Sequence, residues 1–179
     1  MKILLRVVLS VLGLVAFVAL AAFAIGATMP VDHSVSVSGT VASPPAKVFA
    51  LITAIAAGPT WRPEVKSVEV LPEDNSRDAW IEDLGSGQKM KFLATTTAPP
   101  DASGNGVRTV KLDDAAAQYG GVWTYELSPG PSPNTTTLKI TEKGYINPPL
   151  YRFMMKYLFG SSKNLDDYMK QIQAATPKS

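Results

Sequence analysis

The sequence predicts an α+β fold in which a curved antiparallel sheet of about six or seven strands wraps around a long C-terminal helix. Two observations support this prediction: segments with period-2 alternation follow one another through the middle of the chain, and helical segments lie near its ends. Strands without intervening helices pair as antiparallel hairpins, whereas alternating strands and helices would indicate a parallel sheet. Such a sheet encloses a space between its inner face and the final helix.

The first 30 residues are predicted to form one membrane-spanning helix that precedes a domain at residues 31–179. The 25 residues after Arg6 carry no charge and are nearly all apolar, and a helix needs about 20 apolar residues to cross a bilayer core. Lys2 and Arg6 precede this span. The positive-inside rule therefore predicts a single-pass protein with a cytoplasmic N-terminus and an extracytoplasmic domain.

A cleaved signal peptide is the alternative to a retained anchor. The apolar region of a signal peptide is usually about 7–15 residues long, which is shorter than the run in this chain. However, Ala22 and Ala24 flank Phe23 in the small-x-small pattern of a cleavage site. The sequence therefore favours an anchor and leaves cleavage open.

Composition excludes several classes of site. The chain has no cysteine, which excludes disulfides, thiolate metal sites and a cysteine nucleophile. Lys2 and Arg6 account for the net charge of +2, so the remaining 15 basic residues are balanced by 15 acidic ones. A neutral domain of mixed charge has no electrostatic footprint for nucleic acid. We predict no metal site, no cofactor and no nucleic-acid partner.

The domain is predicted to begin with a strand and a helix. Residues 35–41 alternate apolar and small polar side chains, as a strand does. Pro44 and Pro45 end that strand and open a helix, because proline is tolerated in the first helical turn. Residues 58–59 are Gly-Pro and break the helix, and residues 60–65 are too proline-rich for more than a helical turn.

The remaining strands follow with turn residues between them. Glycines at 85 and 87 and the proline-rich run 129–134 indicate hairpin turns. The predicted strands are residues 68–71, 79–84, 89–97, 107–112, 121–127 and 135–143.

The final helix is predicted to begin at Asn147-Pro148, since asparagine caps a helix and proline is tolerated there. It should run to about residue 175 and lie in the concave face of the sheet. Its predicted buried stripe consists of Leu150, Phe153, Tyr157, Ser161, Leu165, Tyr168 and Ile172.

This order of elements, with the residues that punctuate it, resembles the START/polyketide-cyclase-like helix-grip superfamily, also called SRPBCC, over residues 33–175. The segments that carry the resemblance are residues 42–49, Trp61-Arg62-Pro63-Glu64-Val65, Trp80-Ile81-Glu82, residues 120–127, Thr141-Glu142-Lys143-Gly144 and Asn147-Pro148. The resemblance implies the fold. It leaves function open, because members bind lipids, carry hydrophobic ligands or catalyse cyclisation and dehydration.

Strand parity and helix spacing direct a set of aromatic side chains and one carboxylate inward, where they either pack a core or line a ligand cavity. The predicted ligand-binding residues are Trp61, Trp80, Phe92, Trp123, Tyr125, Glu142, Phe153 and Tyr157. Glu82 shares the inward parity. Because an unpaired buried carboxylate is costly, we expect a partner for these acids among Arg62, Arg108 and Arg152.

Other polar residues are predicted to be solvated. His33 is the single histidine of the chain and falls in the predicted linker without a partner, so a Ser-His-Asp triad or a His-based metal site is not expected. We assign no catalytic residue.

Three functions remain open. We favour membrane-anchored binding of a hydrophobic or amphipathic small molecule, such as a lipid from the adjacent bilayer. The second is a cyclase/dehydratase-type enzyme, with Glu142 or Glu82 as the acid/base and Tyr125 or Tyr157 as the proton donor. The third is a scaffold for a membrane partner. A large cavity would favour binding, convergent polar groups within it would favour an enzyme, and a filled interior would favour the scaffold.

The start of the final helix carries more apolar side chains than a buried stripe needs. Tyr151, Met155, Leu158 and Phe159 lie outside the stripe. We expect this helix start and the Trp61 turn to form a cavity mouth that faces the membrane, with Arg152 and Lys156 near lipid headgroups.

Overall fold

A computed structural model describes residues 2–74, 77–85, 87–114 and 117–176. Its helical elements are α1 (Lys2–Thr28), α2 (Pro45–Thr53), a 3₁₀ turn (Ile55–Ala57), α3 (Gly58–Trp61), α4 (Pro149–Met154), a π-helical turn (Met155–Phe159) and α5 (Lys163–Ala175). Its strands are β1 (Asp32–Val41), β2 (Ser67–Asp74), β3 (Arg77–Asp83), β4 (Lys89–Ala98), β5 (Gly106–Leu112), β6 (Tyr119–Pro129) and β7 (Thr136–Ile146).

The seven strands form one antiparallel sheet in the order β1-β7-β6-β5-β4-β3-β2. This confirms the predicted α+β class, the curved sheet and the long apolar helix at the N-terminus. The first strand pairs with the last, so the chain between them runs across the sheet by successive hairpins. Ser86, in the predicted turn at 85–87, lies outside the described residues.

The core lies between the inner face of the sheet and helices α2 and α5. Period-2 alternation directs every second side chain of β1 and β7 inward, and Leu138 and Ile140 are fully buried. Leu165, Met169 and Ile172 of α5 pack against them in one cluster. Each fully buried aliphatic side chain contributes about 1.5–3 kcal/mol, so this cluster fixes α5 on the sheet.

The prediction of one uninterrupted C-terminal helix is wrong. The helix is broken at Gly160, whose φ of 85° lies in the left-handed region that glycine readily adopts. In the second half of the predicted stripe Leu165 and Ile172 are buried and Tyr168 is partly buried, as expected, whereas Ser161 is exposed beside the break. In the first half, Leu150 and Tyr157 are 41% and 55% exposed, because the segment before Gly160 leaves the sheet.

That first segment packs against α1 instead. A Cβ placed on Gly26 would lie 1.9 Å from the carbonyl oxygen of Pro149, so only a glycine permits this approach. Arg152 is 8% exposed, and its Nε donates a hydrogen bond to the Gly26 carbonyl at 2.9 Å. Its Nη1 donates to the carbonyls of Ile146 and Asn147. The expectation that Arg152 contacts headgroups or pairs with a glutamate is therefore wrong.

Candidate functional site

A cavity of about 480 Å³ lies between the concave face of strands β3–β6 and the helical elements α2, α3 and α5. Five of the eight predicted ligand-binding residues line it, and they come from the α3 turn and the three strands β3, β4 and β6. These five are Trp61, Trp80, Phe92, Trp123 and Tyr125. The sheet brings these side chains together. Trp80 is paired with Phe92 on the neighbouring strand, and both side chains point to the concave face.

Aromatic rings in contact form much of the cavity wall. Trp80 stacks on Phe92 with ring centroids 5.6 Å apart, and Phe92 meets Trp123 edge-on at 6.1 Å. On the helix side, Tyr168 packs against Trp61 at 5.5 Å and Tyr125 at 5.9 Å. Tyr168 was predicted as part of the buried helix stripe but not as a site residue. Its inward position, one turn from Leu165, was the signal that could have identified it.

A buried ion pair joins the α3 turn to the sheet inside this cavity. The Arg62 guanidinium donates from Nη1 to Glu82 Oε1 at 2.6 Å and from Nη2 to Oε2 at 2.8 Å. Trp80 Nε1 donates to the same Oε1 at 3.1 Å. This confirms the expected arginine partner for Glu82. Burial lowers the pKa of Arg62, but the hydrogen bonds to Glu82 and the electrostatic attraction of Tyr168, Glu82 and Glu64 together outweigh it and hold the pKa above its ordinary value.

Arg108 places a second guanidinium in the cavity wall, with its side chain only 1% exposed. It lies over the Trp80 ring, 5.7 Å from the centroid, and its Nη2 is 3.5 Å from Asp78 Oδ2. Burial lowers the pKa of Arg108 below its ordinary value because the surroundings solvate its charge poorly. Arg108 was predicted from the sequence only as a partner for a glutamate. Arg108 lies two positions before Val110 on β5, so its side chain points to the same inner face, and this spacing could have identified it as a cavity residue.

Three buried polar atoms on the cavity-lining residues have no hydrogen-bond partner. Within the described parts of the chain they are the donors Trp61 Nε1 and Arg108 Nη1 and the acceptor Gln171 Oε1. The fourth such atom, Ser43 Oγ, lies outside the cavity lining. Buried polar groups in folded proteins nearly always have a partner. The three atoms are themselves shielded from solvent, so the wall of the cavity contains hydrogen-bonding groups that no protein atom satisfies.

Three predicted ligand-binding residues lie outside the cavity. Glu142 faces inward but beyond it, and His33 Nε2 is 3.1 Å from Glu142 Oε1. His33 belongs to β1, so the prediction of a solvated linker histidine without a partner is wrong: the strand begins earlier than its alternation pattern suggests. Phe153 and Tyr157 lie on α4 and the π-helical turn, where their rings contact each other at 5.0 Å.

This arrangement bears on the catalytic alternatives. Both carboxylate oxygens of Glu82 are used by Arg62 and Trp80, so Glu82 is poorly placed to exchange a proton. Glu142 and Tyr157 are absent from the cavity lining. Tyr125 is left as the candidate donor in the cavity, and burial raises the pKa of its hydroxyl well above the ordinary value.

A family model described as "Polyketide cyclase / dehydrase and lipid transport" matches residues 41–164. The match begins at the end of β1 and includes every cavity-lining strand. No curated protein matches the chain.

Solved structures match the fold of the domain. A START superfamily protein from Mycobacterium smegmatis has a TM-score of 0.58 and 17% identity, covering 79% of this chain and 95% of its own. The Zhui aromatase/cyclase from Streptomyces sp. R1128 has a TM-score of 0.59 and 14% identity, covering 80% and 92%. Norcoclaurine synthase from Thalictrum flavum has a TM-score of 0.58 and 11% identity, covering 80% and 86%. At such identities these similarities establish a shared fold.

Proposed function

The chain belongs to the polyketide cyclase/dehydrase and lipid transport family, and we propose that its cavity binds an amphipathic small molecule at a membrane. The observation that carries this proposal is a cavity of about 480 Å³ with unpartnered polar atoms on its lining residues. Ligand pockets typically enclose about 300–1,000 Å³ and combine apolar walls with a few polar groups. The cavity has both features.

The polar groups indicate the chemistry of one end of the ligand. Trp61 Nε1 and Arg108 Nη1 are donors, which suits a ligand carboxylate, carbonyl or phosphate oxygen. Gln171 Oε1 is an acceptor, which suits a hydroxyl or amide N–H. Leaving a buried donor or acceptor unpaired costs about 1–3 kcal/mol. A ligand that supplies these partners gains affinity because it relieves that cost.

The apolar walls indicate the rest of the ligand. Met90 adds a flexible thioether to rings that include Trp80, Phe92 and Trp123, and methionine adapts its shape to different apolar ligands. A body of fused rings or an acyl chain would fit such a surface. The unfilled interior favours binding over the scaffold hypothesis.

Helix α1 supports the membrane location of this activity. It is the single helix in the described part of the chain that is long and apolar enough to cross a membrane, and a cleaved signal sequence has the same properties. Packing favours retention: Ala22 is 7% exposed, so cleavage after Ala24 would remove a buried residue and would cut α1 two residues before Gly26, which contacts α4. In the proposed topology the N-terminus is cytoplasmic and the domain is extracytoplasmic.

Native mass spectrometry of the detergent-extracted full chain, followed by lipidomics, tests the proposal. We expect one co-purifying small molecule per chain. Val110→Trp should remove it, because Val110 is 6% exposed and lines the cavity, so an indole there fills the space. Val70→Trp is the matched control, since Val70 is 57% exposed on β2. Arg108→Met should deplete ligands that carry an acidic or carbonyl group.

Equal occupancy in the two tryptophan variants would show that the molecule binds elsewhere on the protein. A wild-type chain that carries no molecule in any extract would refute the binding function. Near-ultraviolet circular dichroism of Val110→Trp establishes that the variant is folded. If it is not, the folded Arg108→Met variant decides the question.

A further inference from the structure

The segment 150–159 exposes an unusual number of large apolar side chains. In the described residues after α1, nine large hydrophobic side chains are exposed, and five of them lie in this stretch of ten residues. These five are 41–66% exposed and are Leu150, Tyr151, Tyr157, Leu158 and Phe159. Contiguous exposed apolar patches usually mark an interaction site.

This segment is held beside the end of α1. The backbone of Pro149 lies against Gly26, and the Arg152 Nε–Gly26 O hydrogen bond joins α4 to the last turns of α1. The Gly26 carbonyl also accepts from the Met29 N–H at 3.2 Å, so Arg152 joins α4 to the hydrogen bond that closes the end of α1. The exposed patch is therefore continuous with the exposed apolar surface of α1.

Helix geometry gives the depth of this contact. At 1.5 Å per residue, the 20 residues after Arg6 span about 30 Å, the thickness of a bilayer core. They end at Gly26, so α4 meets α1 where the hydrocarbon core gives way to the headgroups. Tyrosine is enriched at that level, and lysine reaches from it to the water. Tyr151, Tyr157 and Lys156 occupy such positions, with Lys156 Nζ 5.4 Å from the centre of the Tyr157 ring.

The same end of the sheet carries the cavity mouth. In an antiparallel sheet the start of one strand lies beside the end of its neighbour. The start of β1, the end of β7 and the end of β3 therefore lie at the same end of the sheet. This end of the sheet is the one nearest to α1. Glu64 and Asn164 line the cavity and are exposed, and Glu64 lies near the end of β3, because the Lys66 N–H two residues on donates to the Asp83 carbonyl at 2.8 Å. Asn164 follows Phe159 by five residues.

We propose that the segment 150–159 is a second membrane contact, which lies in the interface of the bilayer that α1 spans and turns the cavity mouth toward the lipids. The proposal rests on the membrane anchoring proposed above. It names the bilayer as the source of the ligand, because a mouth at the interface opens onto molecules dissolved in the membrane. An amphipathic helix at this depth buries its apolar face about 5–10 Å into the headgroup/acyl boundary.

Single-cysteine spin labelling of the full chain tests the proposal, and the absence of native cysteine makes each label unique. The protein is reconstituted in vesicles of phosphatidylcholine and phosphatidylglycerol. Collision of the label with oxygen, which concentrates in lipid, is compared with collision with a water-soluble nickel chelate. Leu158→Cys and Phe159→Cys should shift toward oxygen. Ser132→Cys lies in the exposed β6–β7 turn at the opposite end of the sheet and should remain accessible to nickel.

Two further labels separate the possible failures. Leu14→Cys lies in the middle of α1 and reports the anchoring itself. Asn164→Cys reports the mouth and carries a fluorescent label instead, as does a second sample of Ser132→Cys. The label at 164 should be quenched by a nitroxide on the lipid headgroup.

An aqueous label at position 14 would refute the anchoring and the proposal with it. A lipid-exposed label at 14 with labels at 158 and 159 that match position 132 would overturn only the second contact. Labels at 158 and 159 shielded from both reagents would show that protein covers the patch, which also overturns it. A label at 164 that behaves like the one at 132 would refute the orientation of the mouth.

Discussion

The ion pair between Arg62 and Glu82 permits a quantitative prediction, because Arg62 also has a second, solvated partner. Its Nη1 and Nη2 contact Glu82, whose side chain is 6% exposed, while its Nε contacts Glu64, whose side chain is 44% exposed. Removing one partner of a buried ion pair typically costs about 3–5 kcal/mol, and an exposed pair contributes about 0–1 kcal/mol. The two glutamates therefore provide a matched comparison on one arginine.

The structure predicts the order of the effects. Arg62→Met should lower the free energy of unfolding most, by about 5 kcal/mol, because it leaves the Glu82 carboxylate buried with the Trp80 indole as its remaining partner. Glu82→Gln should cost about 3 kcal/mol, since the Arg62 side chain is 18% exposed and keeps Glu64. Glu64→Gln should cost less than about 1 kcal/mol.

The measurement is urea unfolding of the full chain in a mild detergent, followed by tryptophan fluorescence. The double variant Arg62→Met/Glu82→Gln should be more stable than Arg62→Met alone, because it contains no buried unpaired charge. If Glu82→Gln and Glu64→Gln have the same effect, water reaches the pair and the cavity is more hydrated than its aromatic walls indicate. That result would refute the treatment of Glu82 as a buried charge.

Three other predictions concern the anchor contact, the core and the buried tyrosines. Gly26→Ala should increase hydrogen exchange in residues 149–159, because its Cβ would collide with a backbone carbonyl, whereas Gly13→Ala should not, since it has open space; equal exchange in both would contradict the contact. Ile172→Ala should destabilise the domain by about 2–5 kcal/mol in urea unfolding, as Ile172 is fully buried, and a cost below about 1 kcal/mol would contradict its core position. Burial raises the pKa of Tyr125 and Tyr168, so the folded state resists their ionisation and stability should fall as pH rises above about 10. Ultraviolet titration checks this, and Tyr125→Phe should reduce the loss.

The sequence predicted the sheet well because its signal is local. Alternation along β1 and β7 and the turn residues between strands specify which side chains face inward, and the register Trp123↔Glu142 agrees with that parity. The same parity placed Glu82 inward and required a basic partner. The choice of Arg62 over Arg108 depended on how the α3 turn folds over the sheet, which no local pattern contains.

The final helix shows the limit of periodicity. Helical spacing continues across Gly160, so the pattern alone did not reveal a break there. Glycine costs only about 1 kcal/mol in a helix interior relative to alanine, so its presence does not by itself predict a break. The contact between Gly26 and Pro149 involves residues more than 120 positions apart and decides the direction of the chain before Gly160. Phe153 and Tyr157 were therefore predicted to line the cavity, whereas the contact between α1 and α4 holds them outside it.

The buried polar groups around the cavity connect the stability of the domain with its proposed function. Replacing a buried ion pair by apolar side chains of similar size is often neutral or stabilising, and an unpartnered buried donor such as Arg108 Nη1 is a further cost. A domain that only needed to pack its interior would be more stable with apolar residues at these positions. The cost is offset when a ligand supplies the missing partners, because a ligand that binds only the folded state stabilises it by mass action. The unpartnered atoms near the aromatic rings are thus better explained by binding than by packing.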